Sequence, residues 1–161
     1  MPVDPEADAA AGPVVEAVLR ASRALVAVAA RSLAGAGEDV TLPQYRAMVV
    51  LAGQGPQGVA ALAGALGVSP STATRMCDRL VRKGLVRRRA GRQDRRQVRL
   101  ALTEAGRRLV DDVSDRRRGE IARIVGAVPG EAHGHLVEAL EAFAEAAGEL
   151  SDRDWAAGWT L

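Results

Sequence analysis

Near the start of the chain a mostly apolar set recurs at alternating steps of four and three: Val15, Leu19, Ser22, Val26, Ala29 and Leu33. A helix turns once in 3.6 residues, so this spacing predicts a helix over about 13–33 with a stripe for a partner helix. Gly35 and Gly37 end it. A second helix is predicted from Thr41-Leu42-Pro43, where a proline in the first turn forfeits no hydrogen bond, through Tyr45, Met48, Val49 and Leu51 to about Ala52. The run 53–58 (GQGPQG) reads as a turn or a very short strand. Val59–Leu66 then reads as a short helix packing through Leu62 and Leu66, ended by Gly67, with Val68 in the corner.

Ser69 is a good N-cap and Pro70 suits the first helical position, so the next helix covers about 70–83. It buries Ala73, Met76, Cys77 and Leu80 and turns Ser71, Thr72, Thr74 and Arg75 outward. Two short helices around a glycine turn make a helix-turn-helix. After Gly84, residues 85–89 and 97–102 read as antiparallel strands, with Val98, Leu100 and Leu102 alternating with Arg99 and Ala101; 90–96 forms the hairpin tip. Thr103 caps a long helix with Glu104 at its positive end. Leu109, Val113, Ile121, Ile124, Val125 and Val128 line that helix, interrupted by Arg116-Arg117-Arg118. Pro129-Gly130 breaks the chain, and a last helix over about 131–150 carries Leu136, Leu140, Phe143, Ala147 and Leu150 as a heptad seam. Residues 1–12 have no apolar period and read as a frayed tail.

Charge changes this picture. Between Arg75 and Arg99 lie eleven cations against only Asp78 and Asp94, a local net charge of +9. The other eleven cations of the chain face eighteen anions, a balance of −7, so the overall +2 conceals a basic block in an otherwise acidic protein. Concentrated basic charge is the footprint of phosphate binding, through counterion release. A helix with small polar residues on its exposed first turn, followed by an arginine-rich hairpin, suits double-stranded DNA: the helix enters the major groove and the hairpin flanks it.

Composition narrows the rest. At 161 residues one domain is expected. The hydrophobic fraction is 48%, but much of it is alanine and the aromatics are only Tyr45, Phe143, Trp155 and Trp159, so burial between subunits is favoured. The single cysteine, Cys77, excludes an internal disulfide and suits a reducing compartment. The acidic first residues resemble no signal peptide and the apolar run 24–30 is too short to span a bilayer, so a soluble cytoplasmic protein is expected. Cys77 shares a helical face with Ala73 and Leu80 and reads as a buried structural thiol. His133-Gly134-His135 has no third ligand partner, so no metal or other cofactor is expected. Asp111-Asp112 and Asp115 read as helix-surface ion pairs, and 53–58 lacks the lysine of a phosphate loop. No catalytic nucleophile–base pair exists, so no catalytic residue is assigned. Trp155 and Trp159 lie in a polar tail whose role the sequence leaves open.

Residues 67–89 (GVSPSTATRMCDRLVRKGLVRRR) followed by 93–109 (QDRRQVRLALTEAGRRL) resemble the MarR family of bacterial transcriptional regulators. Asp94-Arg95-Arg96, Leu102-Thr103 and Gly106 meet the family pattern of wing tip, strand and helix start. The resemblance implies a mainly α fold with a small β-hairpin wing: a winged helix-turn-helix with N- and C-terminal dimerisation helices. It implies one domain over 1–161, with 13–35 and 103–150 mainly for dimerisation, 41–102 for DNA binding, and tails at 1–12 and 151–161. Carried over by position, Ser69, Ser71, Thr72, Thr74 and Arg75 are recognition-helix contacts. Arg96 is the minor-groove arginine of the wing and Asp94 its orienting carboxylate. Arg88, Arg89, Arg92 and Arg95 serve as phosphate contacts or hairpin supports. The implied function is a homodimeric repressor on a pseudo-palindromic operator, released by a small lipophilic or aromatic ligand between the dimer helices and the winged domain. The residues by themselves leave one alternative, a winged-helix module that binds a protein partner without sequence-specific DNA binding.

Overall fold

The chain runs through helix α1 (Pro5–Ala34), α2 (Leu42–Gln54), α3 (Val59–Leu66) and α4 (Pro70–Arg82). It continues through strands β1 (Val86–Ala90) and β2 (Val98–Leu102), helix α5 (Glu104–Val125), a 3-10 turn (Gly130–Ala132) and α6 (His133–Ala146). These elements are those of a computed structural model, which describes residues 5–36, 39–90 and 98–148. Among the described residues no helix is long and apolar enough to cross a membrane.

Local chemistry accounts for each boundary. Thr41 and Gln44 form a reciprocal capping box at the start of α2, where Pro43 occupies the first turn. Gly67 adopts the left-handed conformation (φ 65°) that ends α3 and turns the chain into α4. Helix α4 closes with a second left-handed glycine, Gly84 (φ 70°). Leu85 N–H donates to the Leu80 carbonyl (3.0 Å) and Gly84 N–H to that of Val81 (2.9 Å). Leu80 and Leu85 are both buried across that motif, which ties the end of α4 to the first strand.

The strands pair antiparallel from Val86↔Leu102 to Ala90↔Val98. Gln57, in the turn after α2, adds a single bridge: its N–H donates to the Leu100 carbonyl (3.1 Å) and its carbonyl accepts from Leu100 N–H (2.8 Å). The run 53–58 is therefore both a turn and a one-residue edge. The core lies where α2, α4, the base of the hairpin and the first half of α5 meet, and includes Met48, Leu62, Cys77, Leu80, Leu100, Leu109 and Val113. Tyr45 is the one aromatic residue in that core cluster. Its hydroxyl donates to the Val110 carbonyl (3.4 Å) and lies 3.3 Å from Ser114 Oγ, joining α2 to α5. Burial raises the Tyr45 pKa, partly offset by Ser114.

Five expectations need correction. Helix α1 starts at Pro5, not near residue 13: the alanine-rich stretch before Pro13 favours helix, and the helix continues through that proline. Of its stripe, Leu33 is buried within the chain while Val15, Leu19 and Val26 stay 52%, 46% and 59% exposed, and Val28, which lies off the stripe, is fully buried. In β2 the alternation fails: Leu100, Ala101 and Leu102 are all buried and Val98 is exposed, because the hairpin base is covered on both faces and its outer end on neither. Met76 is only partly buried. The last helix starts at His133, after the 3-10 turn. His133 Nε2 lies 3.1 Å from the Val128 carbonyl and 3.3 Å from that of Val125, in the corner between α5 and α6. Trp155 and Trp159 lie outside the described residues.

Cys77 is buried at the centre of α4, as its helical face implied. Burial pushes its thiol pKa up, Asp78 adds to the effect and Arg88 opposes it. The folded chain thus keeps the proton more tightly than the unfolded chain, whose thiol titrates near about 8.5. The contribution is fully present below that value and is lost as pH rises through the higher folded pKa. Ellman's reagent at neutral pH is expected to modify Cys77 only as fast as the chain opens. A stoichiometric burst within seconds would show the thiol to be accessible in the native state.

Candidate nucleic-acid interface

Helix α4 begins with three hydroxyl residues knitted together. Ser69 Oγ accepts from Thr72 N–H (3.2 Å), donates to Thr72 Oγ1 (2.9 Å) and lies 3.0 Å from Ser71 Oγ. The cap satisfies an otherwise unpaired helix N–H and holds the three hydroxyls in fixed relation. Thr74, one turn on, donates its hydroxyl proton to the Pro70 carbonyl (2.8 Å) and can only accept from a partner. Arg75 beside it is exposed, and its side chain makes no hydrogen bond or ion pair among the described residues. Ala73, Cys77 and Leu80 hold the opposite face in the core, so the polar face must point away.

The hairpin is braced against this helix. Arg88 of β1 donates to Asp78 of α4 at 2.5 Å. Arg82 Nε reaches the Asp78 carbonyl (3.4 Å), and Lys83 binds Asp39 through its carbonyl and its carboxylate. A groove of about 300 Å³ runs between the capped start of α2, at Thr41 and Gln44, and the basic side of α4, at Arg75 and Arg79.

Five sequence-assigned residues, Ser69, Ser71, Thr72, Thr74 and Arg75, thus come together on two turns of α4, with Arg88 tied alongside. Arg89 separates from them. Residues in strands alternate in direction and directly paired residues share a face, so Arg89 stands with its partner Arg99 and with Arg87 on the side of the hairpin away from Arg88. Arg92, Asp94, Arg95 and Arg96 lie outside the described residues. The sequence reading missed the bracing role of Asp78. It also merged two groups of arginines into one block, although the period of two at Arg87-Arg88-Arg89 carried the signal.

The junction behind the interface is equally specific. Thr103 N–H donates to the Leu85 carbonyl (3.0 Å), while its hydroxyl reaches the Gly84 carbonyl (2.6 Å) and accepts from Gly106 N–H (3.0 Å). One residue therefore caps α5 and fastens it to the link between α4 and the hairpin.

Two helices around a tight turn, with an antiparallel hairpin following the second, define a winged helix-turn-helix protein. A model of the MarR family matches residues 40–98. The crystal structure of RV1404 from Mycobacterium tuberculosis matches with a TM-score of 0.83 and 43% identity, over 92% of this chain and 99% of that one. A MarR family protein from Bacillus stearothermophilus matches at 0.76 and 25% identity, over 91% and 100%. CouR from Rhodococcus jostii RHA1, solved with p-coumaroyl-CoA bound, matches at 0.62 and 26% identity, over 83% and 93%. This chain belongs to the MarR family of transcriptional regulators. Its alignments span about half the length of the curated relatives it matches (44%, 57% and 47%), among them the uncharacterized HTH-type transcriptional regulator YfiV of Bacillus subtilis, 34% identical over 71 residues, 44% of this chain.

Proposed function

We propose that this chain binds double-stranded DNA sequence-specifically and regulates transcription as a homodimeric repressor that a small lipophilic or aromatic ligand releases. The observation that carries the reading is the outward polar face of α4, where capped hydroxyls and Arg75 stand beside a hairpin braced through Asp78 and Arg88. Ser69, Ser71, Thr72, Thr74 and Arg75 are its groove contacts. Arg88, Arg89, Arg92 and Arg95 neutralise phosphates, and Arg96, steadied by Asp94, enters the minor groove. An adjacent carboxylate lowers the entropy cost of ordering such an arginine on insertion.

Dimerisation is supported by what a single chain leaves open. Val15, Leu19 and Val26 on α1, and Val137, Leu140 and Phe143 on α6, are each 46–59% exposed, an apolar surface that isolated chains rarely carry. In this reading 13–35 and 103–150 join the two copies and 41–102 reads DNA. The ligand part follows p-coumaroyl-CoA binding by CouR. A ligand favouring a dimer with misplaced recognition helices must lower DNA affinity by linkage.

Operator selection from random duplex DNA tests the core of the proposal. A pseudo-palindrome with half-sites about 34 Å apart is expected. Salt-sensitive binding with no enriched sequence would reduce the basic block to an electrostatic patch. Sedimentation equilibrium at micromolar concentration should return twice the 16.8 kDa chain mass, and a 16.8 kDa species would remove the dimer.

A further inference from the structure

Helix α5 ends without the left-handed glycine that follows α3 and α4: Gly126 stays right-handed, at φ −62°. Its last carbonyls are met instead by a side chain from the next helix. His133, half-buried and the first residue of α6, brings Nε2 to 3.1 Å from the Val128 carbonyl and 3.3 Å from that of Val125. Carbonyls only accept, so Nε2 carries the ring proton and shares it between the two. The Val125 carbonyl also accepts from Val128 N–H (2.9 Å), which folds the chain tightly before Pro129. One imidazole thus clasps both sides of the corner.

That clasp matters because little else in the chain directs α6. Among the described residues, its one extensive packing partner is the 3-10 turn just before it. Val137, Leu140 and Phe143 lie along one side of α6 and remain more than half exposed. Helix α1, by contrast, packs along α5 and is paired to it from Arg31 to Glu120 at 2.7 Å. A helix with no bed in its own chain takes its direction from its first turn. The link from α5 to α6 contains Gly126 and Gly130, and glycine loses more backbone freedom on ordering than any other residue. Without the clasp, α6 would be ordered only at association. Each backbone residue fixed at that moment costs roughly tenfold in the equilibrium constant.

We propose that His133 is a positioning residue for assembly: its ring sets the direction of α6 before Val137, Leu140 and Phe143 meet a second copy of this chain. It rests on the homodimer reading and adds where the preorganisation of that interface comes from. The group that does this is one N–H at one place, Nε2, and not the bulk of the ring. His133 stands at the far end of α5 from the capped junction with the hairpin, so it acts on DNA binding only through the dimer.

Sedimentation of the full-length chain from nanomolar to micromolar concentration gives the dimer dissociation constant of the wild type and of three variants. His133→Leu keeps bulk and loses the donor. It should raise that constant by about 10–100-fold, since each dimer contains two corners. His133→Gln sets an amide nitrogen where Nε2 stands and should stay close to the wild type. His133→Asn sets it where Nδ1 stands and should behave like His133→Leu. At a concentration that keeps every variant dimeric, hydrogen exchange across α2 and α4 should match the wild type. A wild-type monomer overturns the homodimer reading and the clasp with it. A wild-type dimer that His133→Leu holds equally tightly, or that His133→Gln weakens as much as His133→Leu does, overturns the clasp alone. General loss of protection across α2 and α4 in His133→Leu also overturns it, by showing that the ring supports the whole fold.

Discussion

Gly106→Ala is expected to destabilise the chain by about 3 kcal/mol, against the usual sign of a glycine-to-alanine change inside a helix. In an unobstructed helix interior that change stabilises by about 0.5–1 kcal/mol, because alanine loses less backbone entropy on folding. At Gly106 a Cβ would fall 2.1 Å from the Leu85 carbonyl oxygen and 3.2 Å from Leu102 Cδ2. The first of these is backbone and cannot rotate aside. Leu85 also holds both the α4 terminus and Thr103, so relief of the clash must shift α5, the hairpin or both. Overpacking of this kind costs about 1–3 kcal/mol, and more where backbone must move. Gly119 supplies the control within the same helix. Nothing lies within 4 Å of its Cβ position, so Gly119→Ala should stabilise by about 0.5–1 kcal/mol. Equilibrium denaturation of both variants decides the matter; equal stability of the two would show that α5 does not pack on Leu85 as described. The surviving folded fraction of Gly106→Ala is also expected to bind DNA more weakly, since the displaced junction carries the hairpin.

Arg75→Ala is expected to lower affinity for the selected operator by about 10–100-fold and to relax preference at one base position, as loss of a bidentate guanine contact does. Arg75 is exposed on the second turn of α4 with no ion pair among the described residues, so its fork is free to be committed to a base edge. Arg88 provides the contrast. Asp78 already holds it at 2.5 Å, so it meets DNA as a fixed charge beside the backbone. Arg88→Ala should weaken specific and non-specific duplexes alike and reduce the salt slope by about one. Binding isotherms on operator and scrambled duplexes across salt concentrations separate the two. If Arg75→Ala weakened both duplexes equally, its assignment as a base reader would fall.

Most of the local architecture was legible because it is written in short-range chemistry. Thr41 with Pro43, Ser69 with Pro70, Gly67, Gly84 and Thr103 each act within a few residues. The helices and strands they bound fall within one or two residues of expectation from α2 to the start of α5. The polar face of α4 was legible for the same reason: 3.6-residue periodicity sorts Ser71, Thr72 and Arg75 from Ala73, Cys77 and Leu80. By itself, then, the sequence determined the helix-turn-helix, the hairpin, the capped start of α5 and the basic block across them. It could not decide which half of the α1 stripe meets α5 and which stays open, since both halves share one period. Nor could it place Arg88 against Asp78 and gather Arg87, Arg89 and Arg107 around one cavity between the end of α2, the hairpin base and the first turns of α5. Those pairings join residues ten to twenty positions apart, and only the packing of the hairpin between α4 and α5 brings them within reach.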